Sequence, residues 1–318
     1  MLSRRYKHVG LGLILAATLG LAPNLRAEAP KPDMKIGVVE SMFRDIPPKG
    51  VEVVLQKFTD LIQMQTGYKV KIEIAGDAIA LGDGLASGKY QMGVFNGFEF
   101  AWAREKSTGL HPLLIAVSRE RDVSAHLVVR NDKNVQSIKD LKAKVLAQPW
   151  RCREFARLFL ERRCLATVNA LPNDVFDSIV EAPTGEEALD MVVNKDADAV
   201  IIDSVGLNQY KIGHPAEAAK LKDLEFSKAF PAGVLAFNKD ALPQKQIDTF
   251  TKGMLNANQS AKGKDMMKFC GVTSFESIPE NYETLLQYVL KEYPAIAPQA
   301  VTTPETEPVK EPAEVKEK

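Results

Sequence analysis

The sequence predicts a two-lobed α/β fold in which each lobe is a mostly parallel β-sheet flanked by helices and two chain segments form the hinge. Three observations lead to this prediction. Short apolar segments alternate with segments of helical periodicity, which is typical of parallel sheets with helices on both faces. The alternation restarts beyond about residue 120. The 318 residues exceed one average domain and fit two, and the 45% of hydrophobic residues supply both cores.

The first lobe is predicted from four strands and three helices. Segment 69–74 is a clear strand, because apolar and charged residues alternate along it. The first helix carries apolar residues on one face from Val51 to Ile62, and Gly67 ends it. The predicted strands are 35–40, 69–74, 92–95 and 113–117, and the other two helices are 79–88 and 98–104.

The second lobe repeats this pattern. Ser137 caps a short helix that ends near Lys142, and Thr184 opens a capping box with Glu187. The predicted strands are 125–129, 145–147 and 199–202, and a helix runs from about 155 to 163. A further strand at 233–237 and helices near 243–256, 261–269 and 281–292 complete the chain.

Two crossings between the lobes follow from this order, one near 118–125 and one near 228–234. Lobe 1 is predicted to comprise residues 28–120 and 230–297, and lobe 2 is the insertion 121–229. The carboxyl ends of strands from both lobes would then face one cleft, where open α/β sheets bind ligands. Two connecting segments suit hinge closure around such a ligand.

Both ends of the chain have a composition that does not suit the globular lobes. Residues 1–27 combine a basic start, an apolar run at 9–21 and a cleavage site at Ala27, which predicts a secretory signal peptide and a periplasmic protein. An N-terminal membrane anchor is the alternative. Residues 298–318 repeat Pro, Glu, Lys and Val without an aromatic residue, which predicts a disordered tail.

Charge and motif content narrow the function. The 41 basic and 41 acidic residues balance, which argues against nucleic acid as a partner. No catalytic motif and no zinc spacing is present, so we expect that the protein is not an enzyme and binds no cofactor or metal. We also expect a monomer. The three cysteines leave one disulfide possible. The pattern indicates that Cys152 and Cys164 share one helix, and if that helix is continuous they lie about 18 Å apart, too far to pair.

Four segments carry a resemblance to a known family. They are KIGVVE (35–40), LASGKYQMGVFNGFEFAWA (85–103), LVVRNDKNVQSIKDLKAKVLAQ (127–148) and VVNKDADAVIIDS (192–204). In this order they resemble the periplasmic phosphate, phosphite and phosphonate-binding proteins of ABC importers, which have the type 2 periplasmic binding protein fold. The resemblance implies capture of a small anionic solute and its delivery to an ABC transporter permease.

The sequence departs from this family after the strand that ends at 147. The family has Ser/Thr-rich residues there, whose hydroxyls and amides hold the phosphonate at a helix N-terminus. Here the segment is QPWRCR (148–153). Arg151 and Arg153 can fork onto an anion, and Trp150 can stack on a ring or a cation. Cations are unfavourable at a helix N-terminus, which also favours an anion nearby.

Other candidates come from the strand ends. The resemblance places an aromatic residue near Phe43, a polar contact at Thr184 and an acidic contact at Asp203. Packing or helix capping explains each of them equally well. Arg119 and Arg121 lie at the crossover, as hinge or rim. The complete predicted ligand-binding set is Phe43, Asn96, Gly97, Phe98, Trp150, Arg151, Arg153, Thr184, Asp203 and Ser204.

Three other functions remain open from the sequence. A sensory protein of the same fold would hand its closed state to a receptor. An enzyme on the same scaffold would need a nucleophile–base pair or a metal in the cleft. A binding protein that has lost its ligand would pack Trp150 into the lobe and turn the arginines to solvent.

Overall fold

A computed structural model describes residues 34–132 and 134–295. The predicted signal peptide and tail therefore lie outside the described residues. The strands are β1 Met34–Val38, β2 Val70–Ile74, β3 Met92–Phe95, β4 Leu110–Val117, β5 Ala125–Arg130, β6 Val145–Pro149, β7 Ser178–Ala182, β8 Ala199–Asp203, β9 Leu221–Phe226, β10 Gly233–Asn238 and β11 Ser274–Glu276. The helices are α1 Pro48–Thr66, α2 Ala78–Ala86, α3 Gly97–Lys106, α4 Glu154–Val168, α5 Pro172–Val175, α6 Gly185–Asn194, α7 Ser204–Gly213, α8 Pro215–Ala218, α9 Gln244–Leu255, α10 Ala261–Phe269 and α11 Tyr282–Glu292.

The strands form two sheets, one in each lobe. The first has the order β11-β4-β10-β3-β1-β2 and the second the order β7-β6-β8-β5-β9. In each sheet the strand that follows a crossing, β10 or β5, runs antiparallel to both of its neighbours. The predicted two-lobed α/β class is confirmed, and both sheets are mixed, because β10 and β11 in the first sheet and β5 in the second run opposite to the other strands.

Local sequence signals set the ends of several helices. α1 starts at Pro48, where a missing N–H costs nothing, and ends at Gly67, whose φ of 70° suits glycine. Thr184 accepts a hydrogen bond from the Glu187 amide and starts α6, as predicted. Ser137 and Asp140 form a capping box on a short 3₁₀ helix, Ile138–Leu141.

The two crossing segments lie side by side at the base of the cleft. Val123 of the first segment pairs with Phe230 of the second through an antiparallel bridge. The Phe230 ring contacts Phe98 of α3, Phe155 of α4 and Tyr293, with centroid separations of 6.4, 5.2 and 4.9 Å. An apolar cluster therefore joins both lobes to the hinge.

The position of Cys152 relative to α4 differs from the prediction. The helix begins at Glu154, so Cys152 precedes it and does not share a helix with Cys164. The reason is the backbone at Arg151, whose φ of 59° is left-handed, followed by extended Arg153. All three cysteines are free thiols. Within 34–132 and 134–295, no helix is long and apolar enough to cross a membrane.

Candidate functional site

A cavity of about 480 Å³ lies where the strands of the first sheet face the loop after β6. Lobe 1 supplies most of its wall, from the ends of β1 and β3, one side of α1, and the segment after α10. Lobe 2 supplies only residues 151–154. Of the predicted site residues, four line this cavity, namely Phe43, Asn96, Arg151 and Arg153.

A buried carboxyl group bonds to two residues of the cavity wall. Glu99, in the first turn of α3, is only 6% exposed. Ser41 Oγ lies 2.9 and 2.8 Å from its two oxygens, and Asn96 Nδ2 donates to Oε2 at 2.8 Å. Burial raises the pKa of Glu99, and the bonds from Ser41 and Asn96 only partly offset this. The Ser41–Asn96–Glu99 network thus fixes the orientation of two groups in the cavity wall.

Charged side chains connect the lobes beside this network. Arg44 Nε lies 3.0 Å from Glu154 Oε1, and Arg157 Nη2 lies 2.6 Å from Asp45 Oδ2. Arg157 Nε is also 3.5 Å from Glu154 Oε1. Burial raises the pKa of Glu154, while Arg44 and Arg157 act to lower it. The two arginines and two carboxylates form an interlobe ion-pair cluster that bridges the cleft at this edge.

Replacing Glu99 with glutamine should raise stability at neutral pH. The pKa of Glu99 is raised in the folded protein, so the stability from its protonated form is complete below about pH 4.5 and is lost as pH rises through the folded value. Glutamine avoids that loss and can still bond Ser41 and Asn96. Urea denaturation between pH 4 and 8 should show a gain for the variant that appears only as the pH rises. An equal or lower stability of the variant across that range would contradict the prediction.

The loop after β6 presents its arginines to the cleft in different ways. Arg153 Nε lies 3.6 Å from Asp203 Oδ2, so a carboxylate of the chain already faces it. Arg151 is exposed, lies 5.7 Å over the Trp150 ring and forms no ion pair with the residues of 34–132 and 134–295. The ligand-loss hypothesis required a packed Trp150 and arginines turned to solvent. Trp150 is 51% exposed, contrary to the first requirement, while the exposure of Arg151 and Arg153 agrees with the second.

A smaller cavity of about 100 Å³ lies deeper, at the hinge, lined by Asn96, Gly97, Phe98, Arg153 and Asp203 among others. At Gly97 a Cβ would lie 2.2 Å from the carbonyl oxygen of Pro231, so the crossing segment requires this glycine. Phe98 is buried in the aromatic cluster of the hinge. Packing therefore accounts for both residues without a ligand.

Three of the remaining candidates, Thr184, Asp203 and Ser204, form hydrogen bonds that stabilise the local structure. Thr184 caps α6, and Asp203 caps α7 by accepting from the Gly206 amide. Ser204 Oγ accepts from the Ser124 amide and so ties α7 to the first crossing. Trp150, Thr184 and Ser204 line neither cavity.

Further functional candidates, which the sequence analysis did not select, line the main cavity or bond to residues that line it. They are Ser41, Arg44, Asp45, Glu99, Glu154 and Arg157. The sequence does contain a pattern that could have identified Glu99, since it stands between Phe98 and Phe100 in a segment that is otherwise apolar. A charged residue in such a segment is usually buried with polar partners.

Three hydrogen-bonded side chains, of Ser124, His126 and Asp223, have the residue types of a hydrolase triad. Ser124 Oγ lies 2.9 Å from His126 Nε2, and His126 Nδ1 lies 2.9 Å from Asp223 Oδ1. Ser124 lines neither cavity, and Ser204 holds its backbone through two hydrogen bonds. These hydrogen bonds join β5 to β9 beside the hinge. In the described part of the chain, no cluster of His, Cys, Asp and Glu could hold a metal ion.

Comparison with known proteins identifies the family. A family model described as ABC transporter, phosphonate, periplasmic substrate-binding protein matches residues 44–282, which include nearly all of both sheets. The chain belongs to this family. As a substrate-binding protein it is not an enzyme, and membership implies a small solute as ligand, an ABC transporter as partner and a place outside the cytoplasm. No match was found among curated protein sequences.

Solved structures support the same fold for this phosphonate-family binding protein. A Pseudomonas aeruginosa binding protein of an ABC phosphonate transporter is 16% identical, with a TM-score of 0.53, over 82% of this chain and 87% of that one. A Xanthomonas citri protein bound to chloride is 16% identical, with a TM-score of 0.55, over 82% and 96%. A Prochlorococcus marinus protein in complex with methylphosphonate is 14% identical, with a TM-score of 0.50, over 83% and 98%. Identities this low relate the folds and not the ligands.

Proposed function

We propose that this binding protein captures a small anion of the phosphonate, phosphite or phosphate type in the interlobe cavity and delivers it to an ABC importer permease. One observation carries the proposal: Arg151 lines the cavity and has no carboxylate partner within the described residues. A guanidinium with free donors is suited to an oxyanion. Among the similar structures are a binding protein of a phosphonate transporter and a protein in complex with methylphosphonate, which supports the same ligand type.

The proposal also covers the export of the protein and the residue bounds of its two lobes. Residues 1–27 act as a cleaved signal peptide that directs the chain to the periplasm. Residues 28–120 and 230–297 form lobe 1, and 121–229 form lobe 2. The position of β5 and β9 in one sheet, and of β4 and β10 in the other, supports these boundaries. Ligand binding between the lobes would stabilise the closed form, which the permease recognises.

A thermal-shift screen of the chain from residue 28 to its end tests the ligand type. Phosphate, phosphite, alkyl- and aminophosphonates, sulfonates, carboxylates, amino acids and thiamine-like cations would be compared. A ligand at a hundred times its Kd should raise the midpoint by roughly 5 °C or more.

Arg151→Asn provides the matched test of the site, because asparagine tolerates the left-handed backbone at this position. It should abolish the shift. Arg119→Asn is the control, since Arg119 also has a positive φ but bonds Gln209 outside the main cavity. A shift with cations alone, or one that survives in Arg151→Asn, would contradict the proposal.

A further inference from the structure

The two lobes supply opposite chemistry to the main cavity. Every residue that lobe 2 contributes belongs to the loop 151–154, which carries two arginines and a glutamate. Lobe 1 contributes mainly apolar side chains, from β1, α1, β3, β10 and the segment around α10 and β11, and its charged residues Arg44 and Asp45 are paired with Glu154 and Arg157 of lobe 2. The cavity therefore has a charged side and an apolar side, where a site for a small, fully hydrated anion would be polar all round.

The apolar side is not covered by the protein itself. Met42, Phe43, Leu55 and Val272 are only half-buried although they pack against the lobe 1 core, and Phe269 is 52% exposed. Burial raises the pKa of the Cys270 thiol to about 11, so this neighbour is also uncharged at neutral pH. Apolar side chains that remain accessible in a concave site gain stability when an apolar ligand group covers them.

The volume of the cavity and its unpaired positive charge restrict the size and the charge of the ligand further. A cavity of about 480 Å³ holds about sixteen water-sized groups, and a one-carbon phosphonate fills only about a third of that. Among the cavity arginines, Arg44 is paired with Glu154 and Arg153 faces Asp203. Arg151 alone is left without an acidic partner among the described residues, which suits a head group of about one negative charge.

We propose that the cleft is built for an amphiphilic organic anion, with an acidic head at Arg151 and an apolar body of roughly six to ten carbon atoms, alkyl or aryl, on the lobe 1 side. The inference rests on the proposed function and specifies its ligand class. The head group chemistry is shared by phosphonates, sulfonates and carboxylates, and the apolar body is what distinguishes this ligand from methylphosphonate.

Calorimetric titration with a homologous series tests the inference. The probes are methyl-, butyl-, hexyl- and phenylphosphonate, together with hexanesulfonate and hexanoate to compare head groups on one body. We expect affinity to rise by about two- to fourfold for each added methylene. The hexyl compound should then bind at least tenfold more tightly than the methyl compound, and phenylphosphonate should bind in the same range.

Two variants test where the apolar body of the ligand binds. Val272→Phe fills the apolar side and should remove the gain in affinity from longer bodies, so that the hexyl and methyl compounds bind this variant with similar affinity. Ile212→Phe, on an exposed site of α7, is the matched control and should preserve the full series. Methylphosphonate binding as tightly as hexylphosphonate would overturn this inference and leave the proposed function intact. Failure of every anion to bind would overturn the proposed function as well.

Discussion

Gly97→Ala should lower the free energy of unfolding by about 3 kcal/mol. The added Cβ would lie 2.2 Å from the Pro231 oxygen and 2.5 Å from the Ala232 oxygen. Both are backbone atoms of the second crossing segment, so neither can turn aside as a side chain would. Alanine favours a helix more than glycine does by about 1 kcal/mol, which reduces the loss only in part.

The expected loss is measured by urea denaturation with Gly213→Ala as control. Gly213 ends α7 and a Cβ there would meet no atom within 4 Å, so alanine should be neutral or slightly stabilising. Gly97→Ala should also weaken ligand binding, because the displaced segment 231–232 belongs to the hinge. Equal stability of the two variants would show that the crossing segment does not pack against α3 in solution.

Packing of this kind explains why Gly97 looked like a ligand contact in the sequence. A glycine after a strand and before a helix allows close approach, and the sequence does not show what approaches. Here the approaching group is residue 231, which is distant along the chain. The same ambiguity affects Thr184 and Asp203, whose capping bonds are local and suffice to explain them.

Elements with a strong local signal were predicted well. β3 is confirmed at Met92–Phe95 because a short apolar run between polar residues specifies it, and α1 ends at Gly67 as predicted. β9 was missed because Leu221–Phe226 carries three charged side chains. It lies at the edge of its sheet, where one side of the strand remains accessible.

The site was predicted less well, since its organisation depends on distant pairs. The arginines of the loop after β6 could be identified, because they replace the hydroxyl residues expected from the resemblance. Asp45 and Arg157 are 112 positions apart, and Ser41 and Glu99 are 58 apart. Nothing in their local sequence indicates these partners. The left-handed φ of Arg151, which sets the direction of the loop, is also set by tertiary structure.

The interlobe ion-pair cluster leads to the second large expected effect. Arg157→Gln should lower the free energy of unfolding by about 1–2 kcal/mol. The side chains of Arg157 and Asp45 are 24% and 20% exposed, so solvent screens the pair only in part. Without the guanidinium, Asp45 and Glu154 would face each other across the cleft with only Arg44 between the lobes. We therefore expect the unliganded lobes to separate more often.

Small-angle scattering of the unliganded protein measures that separation as an increase in the radius of gyration, and saturating ligand should reverse it. Arg163→Gln is the matched control: it lies on the same helix, but its partner Glu225 belongs to lobe 2. It should reduce stability without changing lobe separation. A double-mutant cycle with Asp45→Asn should give a coupling of about 1 kcal/mol. If Arg157→Gln and Arg163→Gln scatter alike, the cluster does not control closure, and the aromatic contacts of Phe230 hold the lobes together.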